Sequence, residues 1–479
     1  MTEPREDPLK TLARAITRLE ELLDRLPAEV ARDLRVRITT LRTVMLEKRP
    51  PALVLVGRRG AGKSSLVNAL FGAKVAELGH VTAQTGRGRW YDHERDGGAM
   101  SILDTRGVQE GSAPAEEHDP RTAIDALALE LRAKAPDLIV FVAKASEVDA
   151  AVDADIDVIE RVYKEVKRAH RTEPPLIAVV TQCDLVEPKG TRLHQAASEP
   201  KADVEEKLRY VSAAERAIAA KIDERPTLRD RHVATLGVSA YMSWRQDGAL
   251  RADERWRIDD LALLLFRHLP DASRAELARA TGARAVQEEL AITLTRATAA
   301  VCAGIAAAPI PVADIIPLTT LQVGLVAAIA WVAGRSIDKR GAAEFLASLG
   351  ANVGAAFVLR EAFRAVLKVI IPGGGSVVSA TIAYSGTTAV GAAARAYYIR
   401  GLSLRDARKA LRKTKDDDET GDGGGAGTDS GAEADGGSGP GRADAVQPLP
   451  GTTPPDDPRS TASSGSGQAA KDKDDSGAH

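Results

Sequence analysis

Gly57-Arg58-Arg59-Gly60-Ala61-Gly62-Lys63-Ser64 is the stretch of this 479-residue chain whose residue types and spacing point most directly to chemistry. It follows an apolar run at 52–56 (Ala-Leu-Val-Leu-Val) and precedes a helix-like run at 65–70 (Ser-Leu-Val-Asn-Ala-Leu), so it bridges a predicted strand and a predicted helix. Glycines at this spacing let the backbone wrap closely round a polyphosphate, with its N–H groups turned inward on the oxygens. Lys63 then reaches the outer phosphates and the Ser64 hydroxyl ligates magnesium, while Ser65, first of the helical run, completes the set of loop residues. The alternative, a glycine turn with no ligand, is disfavoured by the eight-residue match and its flanks. The ligand these residues imply is a nucleoside triphosphate.

Two more apolar runs, 138–142 (Leu-Ile-Val-Phe-Val) and 176–180 (Leu-Ile-Ala-Val-Val), follow prolines and read as buried parallel strands. The second ends in Thr181-Gln182-Cys183-Asp184. A carboxylate at Asp184 accepts two hydrogen bonds from the N1–H and exocyclic amino group of guanine. Adenine has neither donor on that edge, so a buried, unpaired Asp184 penalises ATP. A later run, 233–238, leads into Ser239-Ala240, a short loop on the base side. Between phosphate loop and base loop lies Ser101-Ile102-Leu103-Asp104-Thr105-Arg106-Gly107. An acidic residue ending a strand, with glycine three further on, suits a magnesium-water ligand (Asp104) followed by a backbone N–H (Gly107) aimed at the γ-phosphate. A threonine that closes over the magnesium is the remaining element. Thr82 and Thr85 both qualify, and Thr85 is better spaced from Asp104 for an intervening hairpin of 89–91 with 100–103.

Residues 51 to about 270 resemble a TRAFAC-class GTPase of the Era/HSR1–MMR1 type, on the strength of GRRGAGKSSLVNALFG, DTRG, TQCD and VSA. The resemblance implies a P-loop α/β domain with a doubly wound, mostly parallel sheet. It implies GTP and GDP as ligands with Mg2+, and hydrolysis of GTP to GDP and phosphate. Lys63, Thr85 and Gly107 then serve the γ-phosphate, and Ser64, Thr85 and Asp104 the metal. Gly57 through Ser65 surround the phosphates, and Thr181, Gln182, Asp184, Ser239 and Ala240 the guanine. Three departures stand out. Thr181 and Gln182 replace the usual Asn and Lys, so the lysine that stacks over the base is missing. Arg106 stands where proline is frequent. Val108 occupies the place of the water-orienting glutamine of Ras-like enzymes. An apolar side chain cannot position water, so hydrolysis is expected to be slow or to depend on Gln109, Arg58, Arg59 or a partner's residue. Arg58 and Arg59 also read simply as solvated loop charges.

The net charge of −2 provides no global basic field, so nucleic acid is not an indicated partner. Cys183 and Cys302 are widely separated and lack a metal-ligand pattern, which fits a reducing, cytoplasmic setting. The N-terminal residues lack the apolar core of a secretory signal.

The elements that must hold these residues follow from periodicity. Residues 1–50 form a predicted helical hairpin, with Leu9, Leu12, Ile16, Leu19, Leu23 and Leu26 before Pro27, and Leu34, Ile38, Leu41 and Met45 after it. Within 51–270, helices are predicted over 120–134, 149–168 and 200–224, with a closing helix over 251–268. Residues 271–402 read as an all-α region rich in glycine and alanine. An alanine-rich helix over 272–296 leads into stretches without charge at 297–313 and 315–334. A polar hinge at 335–340, a helix over 342–368 and an uncharged, glycine-rich stretch at 369–394 complete it. Residues 290–401 resemble the helical domain of unknown function of YcjF-type proteins, which brings no known chemistry. Two readings of the apolar stretches stay open. One is lipid contact through 297–400 at the inner face of the cytoplasmic membrane, and the other is a soluble bundle for self-association or a protein partner. Gly386, Ala389, Gly391 and Ala393 permit close helix contact in both. A further alternative is a scaffold that binds nucleotide without turning it over. Residues 403–479 turn briefly basic and then acidic, with almost nothing to bury, and are expected to be a disordered tail.

Overall fold

The structure, a computed structural model, describes residues 28–75, 89–95, 97–104, 120–147, 152–307, 318–335, 339–350 and 375–411, with isolated positions of a first helix between 13 and 23. The short β-branched runs become the centre of a six-stranded sheet. Its strands are β1 (Ala52–Val56), β2 (Arg89–Arg95), β3 (Gly98–Asp104), β4 (Leu138–Lys144), β5 (Leu176–Thr181) and β6 (His232–Gly237), in the order β2-β3-β1-β4-β5-β6. All neighbours are parallel except β2, which turns back on β3 as an antiparallel hairpin. Every residue of β1 and β5 is buried, as expected where helices cover both faces. The register pairs Leu55 with Asp104, Val56 with Phe141, Lys144 with Thr181 and Val180 with Gly237. The carboxyl ends of five strands therefore line one edge, where open α/β sheets bind ligands.

Successive strand residues point to opposite faces and feed two apolar clusters. Val54, Val56, Ile139 and Phe141 pack with α3 (Pro120–Ala133), α4 (Val152–His170) and α5 (Lys201–Asp223), and the short α6 (Pro226–Arg229) adds Leu228. Leu53, Leu55, Val140 and Ile177 pack on the other face with α2 (Lys63–Phe71) and α7 (Ile258–His268). That second cluster continues without a break into α1 (Ala28–Met45), α8 (Asp271–Thr281), α9 (Arg284–Ala307), α10 (Leu318–Val332), α11 (Lys339–Gly350) and α12 (Gly375–Ala394). Leu34, Ile38, Leu41 and Met45 of α1 are buried there with Ile16 and Leu23; Leu9, Leu12, Leu19 and Leu26 lie outside the described residues. The fold is thus the doubly wound P-loop sheet, followed by an all-α region.

Small residues in that region serve protein packing. A Cβ on Gly391 of α12 would lie 2.3 Å from the Thr295 side chain of α9, whereas one on Gly386 would meet nothing. Helix α10 buries Leu321, Leu325, Val326, Ile329 and Val332. Helix α9 is long and apolar enough to cross a membrane, and half of its apolar window is buried within the chain.

Several expected boundaries shift. Residues 250–253 form β8 (Leu250–Asp253), an antiparallel partner of β7 (Met242–Trp244), and the helix expected from 251 begins only at Ile258. The reason is local: 251–257 is dense in charge with no apolar face, and Arg257 takes a left-handed backbone at φ 57°. The helix expected over 272–296 is split by Gly282, also left-handed at φ 62°, and its second part runs on to Ala307. Residues 375–394 are one continuous helix despite their glycines, ending in a wide π turn at Arg395–Ile399. Most of the helix expected over 342–368, and the tail beyond 411, lie outside the described residues.

Candidate nucleotide-binding site

The phosphate loop leaves β1 at Val56 and re-enters regular structure at Lys63. It runs so close beneath β4 that a Cβ on Gly57 would sit 2.2 Å from the Val142 carbonyl oxygen. Gly62 caps α2 with a left-handed backbone (φ 91°) and brings no side chain to the first amides of that helix. The N-terminus of a helix is a ready anion site. Lys63 is 5% exposed, and its ammonium curls back to donate to the carbonyls of Gly57 and of Arg58, the latter at 2.9 Å. The cation is therefore held inside the ring of the loop. Ala61 is buried, Gly62, Ser64 and Ser65 are half-buried, and Arg59 and Gly60 are exposed.

The base loop is bolted onto this ring. Thr181, 1% exposed at the end of β5, has its hydroxyl 2.6 Å from the Ala61 carbonyl and 3.1 Å from that of Ala143. Gln182, left-handed at φ 59°, donates its side-chain amide to the Gly60 carbonyl at 3.0 Å. Two motifs 120 residues apart in sequence thus share hydrogen bonds. Cys183 is buried, which pushes its thiol up to about 12, and its Sγ contacts the Val180 carbonyl at 3.3 Å. The Val238 amide donates to the Val180 carbonyl at 2.8 Å, bringing Ser239 and Ala240 alongside. Ser239 exchanges backbone bonds with Trp256, yet its buried hydroxyl has no hydrogen-bond partner among the described residues. A buried hydroxyl without a protein partner is a polar group that a ligand can satisfy. Asp184 is half-buried, and it makes no side-chain hydrogen bond or ion pair among the described residues.

Two features escape a reading of sequence alone. The Arg58 guanidinium is no solvated charge: its Nε lies 3.0 and 3.2 Å from the two carboxylate oxygens of Asp155 on α4. Burial raises the Asp155 carboxyl above its ordinary range, and Arg58 pulls it back down. Beneath the base loop, Lys207 of α5 is 0% exposed and donates to the carbonyls of Asp184 at 2.7 Å and Pro188 at 3.2 Å. The signal for Lys207 was present, because 207, 211, 214, 218 and 222 repeat at helical spacing and all are buried.

Asp104 closes β3 beside Leu55, one strand from the phosphate loop. Hydroxyl and carboxylate oxygens, the donor types of serine and aspartate, suit magnesium by their hardness. Thr82, Thr85, Gly107, Val108 and Gln109 lie outside the described residues.

Residues 52–182 match the family model MMR_HSR1, described as 50S ribosome-binding GTPase. Translation initiation factor IF-2 of Geobacter sulfurreducens is 30% identical over 156 residues, covering 32% of this chain and 15% of that protein. The small ribosomal subunit biogenesis GTPase RsgA 1 of Bacteroides thetaiotaomicron is 32% identical over 111 residues, covering 21% of this chain and 31% of its own. The chain therefore spans less than a third of the length of these relatives. A solved structure of Toc33 from Arabidopsis thaliana aligns over 53% of this chain and 94% of its own, at 16% identity and a TM-score of 0.32. The match to MMR_HSR1 covers residues 52–182, a segment that lies within the P-loop sheet described above.

Proposed function

We propose that this chain binds GTP and GDP with Mg2+, hydrolyses GTP to GDP and phosphate, and passes the nucleotide state to its helical region. The observation that carries the reading is the pair of bonds from Thr181 and Gln182 to the Ala61 and Gly60 carbonyls, which joins a phosphate cradle to a carboxylate suited to guanine. In this reading the α2 amides and Lys63 bind the phosphates. Ser64, Thr85 and Asp104 hold the magnesium, which screens phosphate charge when bound. Asp184 accepts from the guanine edge, with Ser239 and Ala240 lining the far side, and Gly107 turns its amide to the γ-phosphate. With Val108 in place of glutamine, hydrolysis is slow or completed by another group, and the Asp155 pairing keeps Arg58 from being a free candidate. Titration calorimetry with GTP, GDP and ATP in magnesium tests binding, and phosphate release under multiple turnover tests hydrolysis. Tight GTP binding without turnover would leave a nucleotide-holding scaffold, and equal affinity for ATP would remove the guanine assignment.

The coupling has a physical route. Thr85 and Gly107 bracket the β2–β3 hairpin in sequence, and its tip presses on α8. A Cβ on Gly98 would lie 2.3 Å from the Ala280 backbone nitrogen, and the Ala99 amide donates to Glu276 at 3.0 Å. Glu276 pairs with Lys48 at 3.6 Å. Lys48 and Arg279 stand 3.8 and 4.3 Å from the ring centroid of Trp331 on α10. A shift of the hairpin therefore meets α8 directly and reaches α10 through the Glu276–Lys48 pair and the cations over Trp331. The burial of α10 in the chain's own core supports a helical bundle that receives this movement and offers a surface for self-association or a protein partner. The YcjF-type resemblance of 290–401 agrees with that role, and lipid contact through 297–400 is the rival reading. Two free, buried cysteines are compatible with the cytoplasmic location we infer. Flotation with liposomes in GDP and in a non-hydrolysable GTP analogue separates the two, since only the lipid reading expects protein in the floating fraction.

A further inference from the structure

Helix α5 places a lysine where its apolar stripe calls for a hydrophobic residue. Val211, Ala214, Ile218 and Ile222 continue the stripe into the core behind β5 and β6, and Lys207 heads it beneath the loop that carries Asp184. Its ammonium is sealed from solvent by that loop and makes no ion pair among the described residues. A buried charge without a counter-ion is costly and persists where hydrogen bonds satisfy it. Here the satisfying groups are the carbonyls of Asp184 and Pro188, at 2.7 and 3.2 Å. Those two residues are the start and the end of one turn of loop, so a single cation ties both. The opposite side of the loop is already held by Gln182 on Gly60 and by Thr181 on Ala61. The Asp184 backbone oxygen is thus engaged by Lys207, while its half-buried carboxylate makes no hydrogen bond or ion pair among the described residues.

We infer that Lys207 is a positioning residue for base recognition, locking the Asp184 and Pro188 carbonyls so that the Asp184 carboxylate is aligned with the guanine edge. This rests on the reading of Asp184 as the guanine acceptor. The loop has glutamine at 182 rather than a lysine, so no cation borders the base from within the motif itself. The structure supplies one from beneath, on a different element. Its contact is with the loop and not with the ligand, so it acts on selectivity through geometry. Burial lowers the Lys207 ammonium from the ordinary lysine range, with the fields of Asp184 and Glu187 opposing that shift.

Lys207→Met keeps the stem and removes the donors, leaving both carbonyls unsatisfied. The test measures Kd for GDP, IDP and ADP in magnesium on the full chain. IDP lacks the exocyclic amino group of guanine, and ADP lacks both donors that Asp184 would engage. A misaligned carboxylate costs GDP the most, so Kd for GDP should rise about tenfold while that for ADP stays within about twofold. The GDP-over-IDP preference should fall with it, and K207R should recover part of the preference by restoring the charge. Equal weakening of all three nucleotides, or an unchanged GDP-to-IDP ratio, overturns the inference, since loss of general stability moves all three together. Should K207M fail to fold, the same ratio is read on K207Q, whose amide can still donate to one carbonyl. Asp184→Asn, assayed with GDP and XDP, separates the two layers. If D184N keeps its preference for GDP, the guanine assignment itself fails. If D184N loses it while K207M retains it, only the role of Lys207 fails.

Discussion

Thr181→Val is the sharpest probe of the joint between the two loops. The side chain is 1% exposed, and its hydroxyl proton serves the Ala61 carbonyl at 2.6 Å, with the Ala143 carbonyl at 3.1 Å on the far side. Valine has nearly the same shape but no donor, so the Ala61 carbonyl loses its partner within the packed joint. Leaving such a group unsatisfied costs about 1–3 kcal/mol. The bond joins two loops rather than two residues of one element, so its loss is felt in both stability and pre-organisation. Urea unfolding without nucleotide should show a loss of about 1–3 kcal/mol. If about 1–2 kcal/mol of that reappears in binding, the Kd for GDP rises roughly 5–30-fold. Thr181→Ser keeps the hydroxyl and should bind GDP close to wild type. Two outcomes refute the reasoning: T181V with wild-type Kd and midpoint, or T181S as impaired as T181V, which would transfer the effect from the hydroxyl to the methyl group.

Arg58→Ala strands the Asp155 carboxylate, whose side chain is 6% exposed against 32% for its partner. The expected loss is about 3 kcal/mol, the low end for a broken buried pair. Burial already raises Asp155 above the ordinary carboxylate value of 3.8 despite Arg58, and removing Arg58 raises it further. Between the unfolded and folded values the native state holds a proton that the unfolded state has lost, so the deficit should grow as pH rises from 4 to 7. A deficit that shrinks over that range would contradict the pairing, and urea melts at both pH values decide it. Gly98→Ala forces a methyl against the Ala280 backbone and should cost about 1–3 kcal/mol in a urea melt by overpacking. A silent G98A would show that the hairpin tip does not bear on α8. Burial pushes the Cys183 and Cys302 thiols up to about 12, so a thiol reagent at pH 8 should label neither in the native protein and both in denaturant. Rapid labelling of either in native buffer would contradict its burial.

The phosphate loop and the buried strands that flank it could be read from sequence because their physics is local. A cradle for phosphate needs glycines, a lysine and a hydroxyl within eight residues, and strands covered on both faces read as unbroken β-branched runs. The alignment of the site could not be read this way. Thr181 and Gln182 looked like substitutions in a motif, and only the register of β4 with β5 and the path of the phosphate loop show what their side chains grip. Arg58 read either as an aid to hydrolysis or as a solvated loop charge, because its partner is 97 residues away on a helix. Lys207 is not singled out by sequence because its two acceptors are backbone carbonyls, which every sequence has. The apolar stretches after residue 297 mark the same limit, since composition records that a surface must avoid water and is indifferent to whether lipid or protein covers it. In this chain α10 and the inner face of α9 are covered by other helices, an outcome set by packing between distant segments.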